Sequence, residues 1–146
     1  MNNANSSVIL IIPSASYRTN PFMDAATKLD LKVLVITDKS QVFSEYYPDN
    51  VITMNFEHWQ ESIENIRAWS VKFDLKAVIG VDEESIILAA NLSEFLGIKH
   101  NSLESVKLTK DKYLMRKALK DSGLKSPWFK RFSVNETPKD IVTEIS

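Results

Sequence analysis

Cysteine is absent from the 146 residues, which rules out a disulfide framework, a thiolate nucleophile and a cysteine-based zinc site. A reducing cytoplasm is the expected location. Glycine occurs three times, at Gly80, Gly97 and Gly123, so neither GxGxxG nor GxxxxGK[ST] can be written. A free-standing dinucleotide site or P-loop is excluded, because both need glycines that let backbone amides approach phosphate. The longest apolar run near the start, residues 8–12, is far shorter than the roughly 20 residues that span a bilayer. It also lacks a signal peptide's basic flank and length. No membrane partner is expected. The net charge of −1 offers nothing to a polyanion, and the three tryptophans lack interleaved basic residues, so no nucleic-acid partner is expected either.

What is present suits one globular domain. Hydrophobic residues make up 44% and charged residues 25%, and a chain of this length can bury a sizeable core. Residues 1–7 (MNNANSS) are small and polar and read as a disordered leader. Four apolar runs of strand length follow, at 8–12, 33–36, 51–54 and 77–81; apolar on both faces, they read as buried parallel strands.

Helical segments alternate with these runs. Asn20 and Pro21 form a cap and first-turn pair ahead of Phe22, Ala25, Ala26 and Leu29. Trp59, Ile63, Ile66, Trp69 and Phe73 define one face of a helix over 57–73. Asp82 is placed to cap a helix over 83–96, with Gly97 to end it. This alternation predicts an α/β fold: a Rossmann-like parallel sheet with helices on both faces.

Beyond Gly97 the pattern changes. Residues 98–100 are at most a short edge strand, and Ser102 and Thr109 are cap candidates. Between Lys107 and Lys125, seven Lys or Arg stand against Asp111 and Asp121, leaving +5 on a helix that Gly123 ends. Residues 128–132 read as a strand, and Thr137 with Pro138 opens another helix carrying Ile141 and Ile145. That amphipathic helix needs a partner face, so the natural protein is expected to continue beyond Ser146.

In an open parallel sheet, ligands sit beyond the carboxyl ends of the strands. Three segments carry chemistry there. The loop 13–20 offers Ser14, Ser16, Arg18 and the free amides of a helix start, suited to an anion; it reads equally as a polar connection with a capping Asn20. Asp82, Glu83 and Glu84 could meet an amine or a hydroxyl, or serve only to oppose the helix dipole. Lys110, Lys112 and Arg116 could meet phosphate, or form a solvated basic face.

Other chemistries fall away. A phosphoacceptor receiver needs acids directly after the first strand, where Pro13 and Ser14 stand. His58 and His100 have no ligand-spaced partners, so no metal site is expected, and no Ser-His-Asp ordering is present.

Three ordered pieces, VILIIPSASYR, AVIGVDEESIILAANLSEFLGIKHN and ESVKLTKDKYLMRKALKDSGLKSPWF, resemble the pre-ATP-grasp domain of the ATP-grasp superfamily. The likeness covers residues 8–132 and is nearest to carboxylate-amine ligases of the phosphoribosylglycinamide-synthetase-like group. The last piece is the most specific. It matches the superfamily's joining segment at Asp111, Lys112, Arg116, Leu119, Gly123 and Pro127.

The resemblance implies a ligase that activates a carboxylate as an acyl-phosphate with ATP and Mg2+, and then joins it to an amine. It implies that Lys112 meets the nucleotide phosphates and that Glu83, with Asp82 or Glu84, contacts substrate. Ser14, Ser16 and Arg18 would lie on the substrate side of the cleft. The implied division is a pre-ATP-grasp domain over 8–108, a basic linker helix over 109–126 and the start of the ATP-grasp module over 127–146. The module's lid, second lysine and metal ligands belong after this segment. No catalytic residue is therefore assigned here, and the isolated chain is expected to hold no cofactor and to be inactive. The partners implied are small carboxylate and amine substrates and the remainder of the module. A non-catalytic α/β module that senses a small anion is the alternative.

Overall fold

A computed structural model describes residues 6–39 and 48–145. Most of residues 1–7, read as a leader, lies outside the described residues. Ser6 and Ser7 instead form the start of the first strand, β1 (Ser6–Ile11). Helix α1 (Thr19–Lys28), strand β2 (Lys32–Thr37) and strand β3 (Val51–Thr53) follow. Next come a 3-10 turn (Trp59–Ser62), helix α2 (Ile63–Lys72), strand β4 (Asp74–Gly80) and helix α3 (Ile86–Phe95). The chain divides into two compact units, Met1–Val106 and Lys107–Ser146.

The first unit holds a parallel sheet in the order β3-β2-β1-β4. Its pairing extends past the strand ends. Ile12 N–H donates to Ile36 O at 2.8 Å, Met54 N–H to Thr37 O at 2.9 Å and Val81 N–H to Ile11 O at 3.1 Å. The apolar runs of the sequence therefore end where the ladder ends.

Alternate residues of the strands serve opposite faces. Ile9, Ile11, Leu34 and Ile36, all fully buried, pack with Ile66 and Trp69 of α2 and Leu88 and Leu92 of α3. Val8, Leu10, Ile12 and Val35 pack with Phe22 and Met23 of α1 on the other face. This is the Rossmann-like arrangement expected, with β1 and β2 apolar on both sides because both sides are covered. Truncating a fully buried Ile or Leu here to Ala costs about 2–5 kcal/mol. Among the described residues, no helix is long and apolar enough to cross a membrane.

Several local expectations need correction. Helix α1 begins at Thr19 and has no side-chain cap; Asn20 and Pro21 lie inside its first turn, where a missing N–H costs nothing. The segment 57–73 becomes a 3-10 turn leading into a shorter α2. Helix α3 starts at Ile86 with Ser85 at the cap position, so Asp82 precedes the helix by a full turn. Gly97 (φ 66°) and Gly123 (φ 74°) do take the left-handed conformation at helix ends. Residues 98–100 and 128–132 form no strand.

The second unit continues from α4 (Leu103–Lys110), a helix that crosses the division between units. The Ser102 hydroxyl accepts from Ser105 N–H at 3.1 Å and so caps this helix as expected. Thr109, expected to open a further helix, lies inside α4. The next helix, α5 (Lys112–Asp121), is capped by Asp111, and α6 (Pro138–Ile145) begins at the expected proline.

Candidate functional site

The sheet order creates a divergence at its centre. After β1 the chain crosses to the face holding α1, while after neighbouring β4 it crosses to the face holding α3. Two loops that leave adjacent parallel strands in opposite directions open a crevice between them, the usual binding position of such sheets. Here the loops are residues 12–18 and 81–85. They carry every first-unit residue selected from the sequence: Ser14, Ser16, Arg18, Asp82, Glu83 and Glu84.

Both loops are pinned. The Ser14 amide donates to Asp38 Oδ1 at 2.6 Å, and its hydroxyl donates to Asp38 Oδ2 at 3.1 Å. Asp38 directly follows β2, so the parallel pairing of β1 with β2 delivers it to the loop after β1. Partial burial pushes the Asp38 carboxyl up, but the two hydrogen bonds from Ser14 outweigh it and hold the group below its ordinary value. Ser16 Oγ accepts from Arg18 N–H at 3.1 Å and closes a local turn.

The loop after β4 is fixed by Ser85, which is fully buried. Its hydroxyl donates to Asp82 O at 2.8 Å and accepts from Asp82 N–H at 3.2 Å. Gly80 makes this turn possible. A Cβ there would stand 2.8 Å from Ile86 N and from the Ser85 carbonyl carbon, and 2.9 Å from Ile86 Cα. These are backbone atoms with no freedom to swing aside, so the start of α3 rests directly on the end of β4. Glu83 and Glu84 are exposed at the tip of the turn.

Arg18 and Asp82 face each other across the crevice, with Nε 3.7 Å from Oδ1. The guanidinium also donates to the Tyr17 hydroxyl from Nε at 3.3 Å and from Nη2 at 3.2 Å, and it lies 5.4 Å from the Tyr17 ring centroid. The Tyr17 hydroxyl is the main cause of an upward shift in the Arg18 pKa, with the Asp82 charge adding less.

A separate cavity of about 280 Å³ lies along β4, bordered by Ser93, Lys99, His100 and Asn101. Neither residues 12–18 nor 81–85 line it. Arg18 and Asp82 meet between the two loops, which makes the crevice the better candidate for a polar ligand.

The second unit holds Lys112, exposed as the first residue of α5. Asp111 fixes its backbone. Asp111 Oδ1 accepts from Tyr113 N–H at 2.9 Å and Leu114 N–H at 3.0 Å. Arg131 Nη2 reaches both carboxylate oxygens, at 2.9 and 2.7 Å. The Leu114 amide, followed by Arg131, holds the Asp111 carboxyl below its ordinary value. Arg131 also lies over the Tyr113 ring at 4.3 Å, and Tyr113 meets Phe129 edge to face at 5.5 Å. Residues 128–132, expected as a strand, are thus tied to the start of α5 by side chains. Lys110 is exposed and Arg116 half-buried.

Sequence reasoning missed Asp38, Gly80, Ser85 and Arg131. An acid directly after the second strand was the available signal for Asp38. Nothing local marks the other three. Among the described residues, no group of three His, Asp or Glu side chains converges to hold a metal ion.

This fold is shared with a ligase. The chain is similar to the crystal structure of an L-amino acid ligase from Bacillus licheniformis, with a TM-score of 0.68 and 22% identity. The likeness covers 88% of this chain and 33% of the ligase chain, so the 146 residues correspond to about a third of that protein. At this identity the likeness is one of fold. No protein-family model and no curated protein matches the chain.

Proposed function

We propose that this chain is the substrate-side domain of an ATP-dependent carboxylate-amine ligase of the ATP-grasp superfamily. The observation that carries the reading is a ligase fold over nearly all of the chain, combined with the ordered joining segment from Asp111 to Pro127.

Such an enzyme moves the γ-phosphoryl group of ATP to a carboxylate oxygen and releases ADP. An amine nitrogen then attacks the acyl carbon, phosphate leaves, and the nitrogen loses a proton as the amide forms. Lys112, exposed at the start of α5, suits phosphate oxygens as a flexible point donor. Asp82, Glu83 and Glu84 suit an amine, since carboxylates accept its hydrogen bonds and favour its positive form. Arg18 suits a carboxylate. The described residues do not form a magnesium site, and Mg2+ is assigned to the remainder of the module. A stand-alone anion sensor is the poorer reading, because the Ser14 amide and hydroxyl already donate to Asp38.

The test is carried out on the natural full-length protein, supplied with ATP, Mg2+ and panels of carboxylates and amines. ADP and phosphate should appear only when a carboxylate is present, and hydroxylamine in place of the amine should yield a hydroxamate. Carboxylate-independent ATP cleavage, or none with any pair, removes the ligase reading.

A further inference from the structure

Strand β4 forms one edge of the sheet. β1 pairs with it on one side, and among the described residues no strand lies on the other. Which peptide groups face that open side follows from the pairing. Val81 N–H donates to Ile11 O at 3.1 Å, so by the alternation of a strand Ala77 and Ile79 also face β1, while Val78 and Gly80 turn their N–H and C=O groups outward. Among the described residues, no hydrogen bond closes on these outward groups.

Charges on an edge strand discourage stray pairing. β4 has them in its first half, where Lys76 and Asp74 form an ion pair at 2.8 Å. From Ala77 to Gly80 the strand carries neither charge nor proline. The cavity of about 280 Å³ lies along this unprotected half, bordered by α3 and by residues 99–101, which form no strand of their own. On the α3 side, Ala89, Ala90 and Ser93 line it with small side chains.

These features select an occupant. Outward N–H and C=O groups on an extended strand are matched by a second extended backbone, the chemistry of strand addition. The small walls of α3 admit small apolar side chains. Lys99, exposed at the rim, supplies a cation, and no carboxylate lines the cavity, so an acidic segment meets attraction and no opposing charge. The volume stands near the lower end of ligand cavities, which begin at roughly 300 Å³. It suits a short stretch of a single chain. The folded edge of a second copy, bordered by its own residues 99–101, is too bulky to enter.

We propose that the outer edge of β4 from Val78 to Gly80 takes up a short extended segment of a partner protein as an added strand. The segment carries small apolar residues and one carboxylate side chain, which meets Lys99. This site is separate from the crevice between residues 12–18 and 81–85, and it stands whether or not the ligase reading does.

The experiment is a chemical-shift titration of the ¹⁵N-labelled 146-residue chain with the blocked pentapeptide acetyl-Val-Ala-Glu-Ala-Val-amide, and with the same peptide carrying Lys in place of Glu. The Glu peptide should move the amide signals of Val78, Gly80 and residues 99–101, and leave those of residues 14–18 in place. The Lys peptide should bind about tenfold more weakly, the size of one charge-assisted hydrogen bond. Lys99→Glu, a change at an exposed side chain, should invert this preference. Peptides N-methylated at one position each then read the backbone. Methylation should remove binding at alternate positions and spare those between, because only every second peptide group of an added strand faces β4. The protein is unaltered in that arm, so a folding defect cannot produce the pattern.

No movement of these signals at millimolar peptide overturns the proposal, as does equal affinity for the Glu and Lys peptides. N-methyl effects that are alike at neighbouring positions replace strand addition with apolar adhesion. Signals of Val78 and Gly80 that shift with protein concentration alone give the edge to a second copy of this chain and equally overturn it.

Discussion

Asp38 accepts two hydrogen bonds from Ser14, from the amide at 2.6 Å and from the hydroxyl at 3.1 Å, and so joins the end of β2 to the loop after β1. The carboxyl is held below its ordinary value of 3.8. A group whose pKa is depressed by folding stabilises the fold above its unfolded pKa, and this contribution is lost as pH falls through the folded value. Asp38→Ala should therefore lower stability at neutral pH by about 1 kcal/mol. The gap between wild type and variant should close as pH drops below 3.8. Thermal midpoints across that range provide the check, and a gap independent of pH would assign the effect to packing.

Gly80→Ala places a methyl group 2.8 Å from the backbone of Ser85 and Ile86. The expected cost is about 1–3 kcal/mol, typical of overpacking against atoms that cannot rotate away. Urea unfolding measures it. Because the displaced backbone carries Asp82 to Ser85, the variant should also weaken any ligand response of that loop more than Ala substitutions elsewhere in the sheet do.

Asp111→Ala removes the acceptor for the Tyr113 and Leu114 amides and the partner of Arg131. The start of α5 should fray, and those two amides should exchange with solvent faster. Asp111→Ser should restore the cap but not the grip on Arg131. Arg131→Ala should free residues 128–132 and leave the cap protected. Hydrogen exchange read residue by residue separates the three variants.

Lys112→Ala in the natural full-length protein should raise the KM for ATP by about tenfold or more, the size of one charge-assisted phosphate contact. Folding should be unchanged, because the side chain is exposed. Unaltered kinetics would take Lys112 out of the nucleotide site.

The four strands were readable because burial on both faces leaves an uninterrupted apolar run, a signal that needs no knowledge of the partner strand. The helix ends Gly97 and Gly123 were readable for a similar reason: glycine supplies the left-handed conformation locally. What failed was decided over distance. Asp82 looks like a cap, yet α3 packs closely on Gly80 and starts at Ile86, with Ser85 at the cap position. Asp38 gains its role only when β2 lies beside β1 and brings Ser14 within reach, 24 residues away in sequence. Residues 128–132 have strand-like composition, but strand formation depends on a paired neighbour as well as on propensity. Here side chains from α5 hold the segment instead.

The position of β1 has a consequence for how the chain is made. Among the described residues β1 precedes every other strand, yet it ends up between β2 and β4, and its second neighbour spans Asp74–Gly80. During synthesis one whole edge of this apolar strand stays bare until that distant stretch leaves the ribosome. Pairings so far apart along the chain form slowly. Aggregation of nascent chains should therefore depend on how promptly residues 74–80 arrive.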